Sequence, residues 1–402
     1  MFKIKVKQSI KSIDEVRPDQ WIEIDSPYFK KGEYHWDSEH FLNSIPIINS
    51  HDHLIGNWYP RSGTNAPYIN SHIWVEDNKT SSSVQERNKI WTNDGSFNMM
   101  SGNAPLLVKL GAFKNLFSGA SIIQDHGTQQ VSEYYDMFPI EVVRHYGQCH
   151  SITLGNWWGG NTPEQEMIRT EGKMPFIIHL AEGLDENTRL EFSKLKKAGL
   201  LKQNTLIIHG ICLTRPELDD VKQIGASICW CPGSNYYLIG QTLDIKSCME
   251  KGINVVIGTD STLTGSINLI EEIRFAHKKF PDIDAKILYR MVTHNAYRAM
   301  YINDPELIDP AKNILIMSNK KEYAFDNILH QEMDDIHLMV QKGIPIYGDI
   351  SFMEYMNVNE NDYYTFKVGN KEKFVIGHPE KITAKIDEIL GYHKSLPYLP
   401  WE

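Results

Sequence analysis

The 402-residue sequence predicts an α/β protein built on a parallel sheet. A (β/α)8 barrel ranks ahead of an open doubly wound sheet, and a small β domain is made from both chain ends. Two observations carry the fold class. Between residue 105 and about residue 302, short apolar runs without clean alternation are separated by amphipathic helical stretches, the pattern of strands buried on both faces. Outside that region the chain alternates strand-like pieces with turn signals. A third observation marks one end of the sheet: several of the apolar runs finish in His or Asp, and in a barrel the C-terminal strand ends form one common rim.

Residues 1–13 alternate Phe2, Ile4 and Val6 with Lys3, Lys5 and Lys7, as a half-buried strand does. Trp21-Ile22-Glu23-Ile24 before Ser26-Pro27 predicts another strand and a turn. Ile45-Pro46-Ile47-Ile48 leads into His51-Asp52-His53. Residues 57–100 are rich in Asn, Ser, Gly, Tyr and Trp, which predicts a long loop with some helix, serving as a lid or an interface. Strands follow at 120–124, 141–144, 175–180, 205–209, 226–231 and 253–258. Helices are expected at 187–198, from the Thr214-Arg215-Pro216-Glu217 capping box onward, at 241–251 and at 267–278. Beyond residue 302, the pieces at 313–317, 335–341 and 344–349 resemble an antiparallel sheet. The expected division is therefore a small β domain of residues 1–45 and 305–402 and a barrel of residues 46–304.

Composition narrows the function classes. Lys and Arg number 41 against 51 Asp and Glu, a formal charge of −10, so nucleic acid and anionic membrane are unfavourable partners. No apolar run reaches a membrane-spanning length and the N-terminus lacks a signal-peptide core. Five cysteines make no disulfide scaffold, and a reducing cytoplasm is expected. Cys229 and Cys231 flank Trp230 within one strand, have no second Cys pair to complete a zinc finger, and are read as structural.

The chemistry lies at the strand ends. His51 and His53 stand two residues apart, so on a strand both imidazoles face the same way. His179 closes Phe176-Ile177-Ile178, His209 closes Leu206-Ile207-Ile208, and Asp260 follows Val255-Val256-Ile257-Gly258. One such ending is ordinary; four on separate strands point to a shared metal site. Imidazoles with one carboxylate suit Zn2+, with Fe2+ or Mn2+ as alternatives, and leave an open, catalytic coordination position. Asp125-His126 also ends an apolar run and is balanced between a site contact and a helix cap. Trp58, Trp157 and Trp158, in loops after strands, are candidates for walls against a planar substrate, and Asn235 stands at the same mouth.

His51-Asp52-His53, His179-Leu180-Ala181-Glu182, His209-Gly210, Cys231-Pro232-Gly233-Ser234-Asn235 and Gly258-Thr259-Asp260-Ser261 together resemble the amidohydrolase superfamily, in the branch of cytosine deaminase, guanine deaminase and the triazine hydrolases. The resemblance covers about residues 45–300. It implies a distorted (β/α)8 TIM barrel with a small β-sandwich, one metal held by His51, His53, His179 and Asp260, Glu182 as proton shuttle, and His209 as the group that orients the water and polarises the substrate. Trp230 stands where purine-type members often carry a His. A metal lowers the pKa of bound water to about 7, and a buried carboxyl with raised pKa can protonate a leaving amine. Hydrolytic deamination of a small nitrogen heterocycle or cyclic amidine or guanidine is thus expected. The alternatives are hydrolysis of a cyclic amide, urea-type or chloro substituent, and a non-catalytic barrel that retains the metal. A small-molecule substrate is the implied partner, and homo-oligomerisation is compatible with the aromatic 57–100 region.

Overall fold

The computed structural model describes residues 1–35, 38–91, 97–155 and 159–401. Within them the N-terminal strands are β1 (Phe2–Ser12), β2 (Glu15–Ile24), β3 (Gly32–Tyr34) and β4 (Phe41–Ser44). Phe2, Ile4 and Val6 are fully buried on one face of β1, while the intervening lysines remain partly exposed. The central strands are β5 (Ile47–Asp52), β6 (Ala120–Asp125), β7 (Glu141–Val142), β8 (Gly147–Ser151), β9 (Phe176–Leu180), β10 (Thr205–His209), β11 (Ser227–Trp230) and β12 (Asn254–Ile257). The C-terminal strands are β13 (Ile314–Ser318), β14 (Ile336–Gln341), β15 (Ile344–Asp349), β16 (Tyr363–Val368) and β17 (Lys371–Ile376).

Both chain ends enter one nine-stranded mixed sheet, ordered β16-β17-β15-β14-β13-β4-β1-β2, with β3 beside β1. Its join is β4, antiparallel to β13 and parallel to β1. The sheet is continuous where two facing sheets were expected. Phe2 and Ile24 near one edge nevertheless share an apolar cluster with Tyr363 and Phe374 near the other, so the sheet curls over on itself. Accumulated strand twist favours this in a sheet so wide.

The eight central strands run parallel in two groups, β5-β6-β7 and β8-β9-β10-β11-β12. Ile48 and Ile122 of the first group and Ile177, Ile208, Cys229 and Val256 of the second meet in a single apolar cluster. Cys229 and Cys231 sit in packed interior, and among the described residues neither belongs to a group that could hold a metal ion. The Asp260 N–H donates to the His51 carbonyl at 3.0 Å, which ties the end of β12 to β5. Gly258 makes this approach feasible, since a Cβ there would lie 2.6 Å from that of His51.

Helices cover the outside. Thr214 and Glu217 form the reciprocal cap of the Arg215–Ile224 helix, and that helix ends on Gly225 in the left-handed conformation. The described residues of the 57–100 stretch include the helices Ser71–Asn78 and Ser82–Trp91. Strand β8 was not anticipated, because Gly147, Gln148 and His150 give it no apolar signature. Among the described residues no helix is long and apolar enough to cross a membrane.

Candidate metal centre

The strand ends bring histidines together from five strands: His51 and His53 at β5, His126 after β6, His150 in β8, His179 in β9 and His209 at the end of β10. The Nε2 atoms of His51 and His53 each lie 3.3 Å from that of His179. Two ligands about 2.0–2.1 Å from a tetrahedral ion stand roughly 3.3–3.4 Å apart, so the three nitrogens already have the spacing of a coordination shell. Asp260 Oδ1 faces them, 3.6 Å from His53 Nε2 and 3.9 Å from His51 Nε2.

The rings are held from behind. Nδ1 of His53 donates to the His126 carbonyl and Nδ1 of His179 to the His150 carbonyl, both at 2.8 Å. That bonding fixes the tautomer whose bare Nε2 faces the centre, as a metal-ligating histidine requires. Burial first, and then the neighbouring imidazoles, hold His51 and His179 well below the ordinary histidine range, so both rings are neutral donors. Burial alone would raise the Asp260 carboxyl, but His53, His209 and the Ser234 hydroxyl outweigh it and keep it below the usual value. Its Oδ2 accepts from Ser234 Oγ at 2.8 Å and Thr264 Oγ1 at 2.9 Å. The donor set is chemically suited to a divalent ion.

Beside this cluster Glu182 Oε1 lies 3.3 Å from His209 Nε2. Burial pushes the Glu182 carboxyl up to about 7, with His209 opposing and Asp260 reinforcing the rise. Ala181, His209 and Asp260 all adopt positive φ, at 57°, 70° and 55°. Such turns cost non-glycine residues of order 1–3 kcal/mol each and concentrate at functional sites; here they fold three strand ends inward over one cavity. That cavity, about 360 Å3, reaches from the histidines outward between Trp74, Trp91, Phe97 and Leu238.

The two buried faces of β5 do different work. Asp52, between the paired histidines, points away from them onto Lys114 at 2.8 Å, with both side chains fully buried. Asn115 and Asn57 donate to its carboxylate at 2.8 and 2.9 Å. Lys114 also reaches Asn57 Oδ1, and Asn49 receives Thr259 N–H at 3.0 Å beside Asp260.

The softer sequence expectations fare differently. Trp58 does not line the cavity: it is fully buried, its indole donates to Glu86 at 2.6 Å, and Lys394 lies over its ring. Asn57, anchored by Asp52 and Lys114, turns the chain away from the mouth and carries Trp58 into the packing behind it. Asn235 lies behind His209 with its Oδ1 2.7 Å from Nδ1, so it orients that ring and faces no substrate space. Trp157 and Trp158 lie outside the described residues. The aromatic wall is supplied instead by Trp74, Trp91 and Phe97, from the stretch read only as lid or interface. His126 joins the cluster, its ring stacked on His179 at 4.5 Å; its place after an apolar run was the available signal.

Residues 166–310 match the amidohydrolase family. A 5-methylthioadenosine/S-adenosylhomocysteine deaminase of Clostridium tetani is 24% identical over 355 residues, covering 79% of this chain and 80% of that protein. One from Thermococcus sibiricus is 28% identical over 222 residues, covering 52% of this chain; the chain spans about half of that relative's length, 48%. Among solved structures, a zinc complex of atrazine chlorohydrolase from Arthrobacter aurescens superposes with TM-score 0.66 at 16% identity, covering 97% of this chain and 100% of the other. An adenosine deaminase from Xanthomonas campestris with bound zinc gives 0.64 at 14% identity, covering 96% and 97%. At these identities the likeness shows a shared fold, the TIM-barrel-like α/β fold with an additional domain.

Proposed function

We propose that this chain, whose central segment carries the amidohydrolase family pattern, is a metal-dependent hydrolase that deaminates a small nitrogen heterocycle. The carrying observation is the joint geometry: three imidazole nitrogens at ligand spacing facing a carboxylate, with a proton-bearing Glu182 paired to His209 at the edge of the same cavity. His51, His53, His179 and Asp260 would hold the ion, and zinc fits this N3O set best. When bound, the ion supplies Lewis-acid chemistry and makes a water acidic near neutral pH.

The chain's own groups supply the rest. With its carboxyl pushed up to about 7, Glu182 is partly protonated at neutral pH. It can hold a proton at Oε1, pass it to a ring nitrogen, and later protonate the leaving amine. His209, fixed by Asn235, presents Nε2 to the carbonyl- or amidine-like centre and stabilises the charge that develops there. Trp74, Trp91 and Phe97 offer flat apolar walls, and the cavity has room for a bicyclic ring. The matched deaminases are named for adenosine derivatives, which makes an adenosine-type aminopurine the first substrate to try. The eight parallel strands read as one distorted (β/α)8 barrel, residues 46–304, and residues 1–45 with 305–402 as its β domain.

The test is ammonia release across adenosine-type nucleosides, free purines, cytosine, aminotriazines and guanidines, with metal content measured in parallel. Glu182→Gln should lose about 10²–10⁴-fold in turnover with metal retained. A variant that kept full turnover with its metal would show that Glu182 is not the proton shuttle. Full metal occupancy with no release from any compound would overturn deamination.

A further inference from the structure

The nine-stranded sheet carries a second constellation, remote in sequence from the metal centre. Ser318 ends β13, His337 lies in β14 and Asp349 ends β15, three neighbouring strands. Ser318 Oγ is 2.9 Å from His337 Nε2, and His337 Nδ1 is 2.7 Å from Asp349 Oδ2. All three residues line a separate cavity of about 520 Å3, whose rim includes the exposed His40 and Lys320. The register explains the alignment. Ile316 pairs with Leu338 but Met317 with Ile336, which leaves His337 as the extra residue of a bulge. Bulges re-aim side chains and recur beside active sites. Phe41 holds the imidazole from its flank, ring centroids 4.7 Å apart.

The charged groups around the serine pair with one another. Asp349 is paired with buried Lys373, and Asp335 with Lys320. Burial, helped by Lys373 and Lys371 and opposed by Asp349, holds the His337 imidazole below the ordinary histidine range, so it serves as the neutral link. Its Nδ1–H is committed to Asp349, so Nε2 is an acceptor. Ser318 Oγ also lies 2.9 Å from Asp335 Oδ1. The hydroxyl thus has two acceptors for its single proton. A nucleophile hydrogen-bonded to a base that a third group orients is the arrangement of hydroxyl-based acyl transfer, recognised by geometry and not by position in the chain.

We propose that the β domain is a second hydrolytic site, in which Ser318 is a nucleophile toward short acyl esters, His337 its general base and Asp349 the residue that positions the imidazole. Ser318 Oγ bonds to the acyl carbon as its proton passes to Nε2; the carbon–oxygen bond to the alcohol breaks as His337 returns that proton to it. Water then adds to the acyl-serine by the same proton path, releasing the carboxylic acid and restoring the hydroxyl. Lys371 and the Asn319 amide, whose oxygen is occupied by Gln8 at 3.1 Å, are among the donors lining this cavity that could meet a developing oxyanion.

The experiment is fluorophosphonate labelling of the full-length protein, with peptide mapping and p-nitrophenyl acetate hydrolysis. A single adduct on Ser318 is expected in the unmutated chain, so the result does not depend on any variant folding. His337→Asn should slow labelling and hydrolysis by about 10²–10⁴-fold, and Ser318→Ala should abolish both while the thermal transition stays in place. No adduct on Ser318, or labelling of His337→Asn at the original rate, overturns the assignment. The mapped adduct on Ser318 does not use the metal centre, so the ammonia-release result bears on the other site alone.

Discussion

Replacing Lys114 by Met tests whether the buried charges behind the paired histidines hold the centre together. Lys114 and Asp52 are fully buried and 2.8 Å apart. Removing only the cation leaves a carboxylate in the interior with amide donors from Asn57 and Asn115 but no counter-charge. Breaking one side of a buried pair costs about 3–5 kcal/mol. At roughly 2–4 °C per kcal/mol for a large domain, the midpoint should fall by about 6–20 °C. Asp52→Asn in the Lys114→Met background removes the orphaned charge, so the double variant should recover part of the loss. A coupling of about 0.5–3 kcal/mol is expected from the cycle. Calorimetry or denaturant unfolding of all four proteins measures it. Because the network reaches Thr259 as well as β5, folded Lys114→Met should also bind zinc about 10–100-fold more weakly. A loss under 1 kcal/mol, with additive single variants, would refute the reasoning.

Other outcomes follow from the same contacts. Asn235→Ala frees the His209 ring and should lower turnover about 10–100-fold at unchanged metal content; unchanged kinetics would remove His209 from the reaction. His179→Ala takes away the nitrogen closest to both other imidazoles, and elemental analysis should find the ion lost together with ammonia release. Glu272 is buried beneath the Gly233 N–H, which it accepts at 2.7 Å, and burial pushes its carboxyl up to about 7 despite Ser266, Gly233 and Arg61. A carboxyl raised in the fold binds its proton more tightly there than in the unfolded chain. Its contribution is therefore complete below about pH 4.5 and is lost as pH rises through 7, a total of about 3 kcal/mol. Glu272→Gln should flatten that slope and stabilise the protein at pH 8; an unaltered stability–pH curve would show that Glu272 titrates normally.

What the sequence disclosed follows from how far each signal reaches along the chain. The strand-to-helix rhythm and the His or Asp closing an apolar run are local, because the run is the buried strand and its last residue is the rim. That is why His51, His53, His179, His209 and Asp260 could be singled out from sequence. Strand β8 and the cavity wall were illegible for the opposite reason. Gly147 and Gln148 are buried by neighbouring strands and not by their own hydrophobicity, and His150 beside them is half-buried. Trp58, Trp74 and Trp91 are indistinguishable as letters, and their fates differ through long-range contacts: Trp58 is taken by Glu86 and Lys394, whereas Trp74 and Trp91 face the cavity.

Asn235 shows the same limit from the other side. Its place after Cys231-Pro232-Gly233-Ser234 suggests the mouth of the site, yet the Pro232–Ile239 helix begins there and turns the amide toward His209. A motif locates a residue to within one turn; whether it meets substrate or the residue that meets substrate depends on a rotation no spacing encodes. The Ser318, His337 and Asp349 group lies further beyond reach. It has no motif, and its geometry depends on a one-residue bulge between β13 and β14. Without that slip His337 would take its turn in the regular alternation of β14, and a slip of one residue reverses the face a strand side chain occupies. Register is thus the physical variable that decides whether those three residues form a site at all, and it is set where β13 pairs with β14 and β14 with β15.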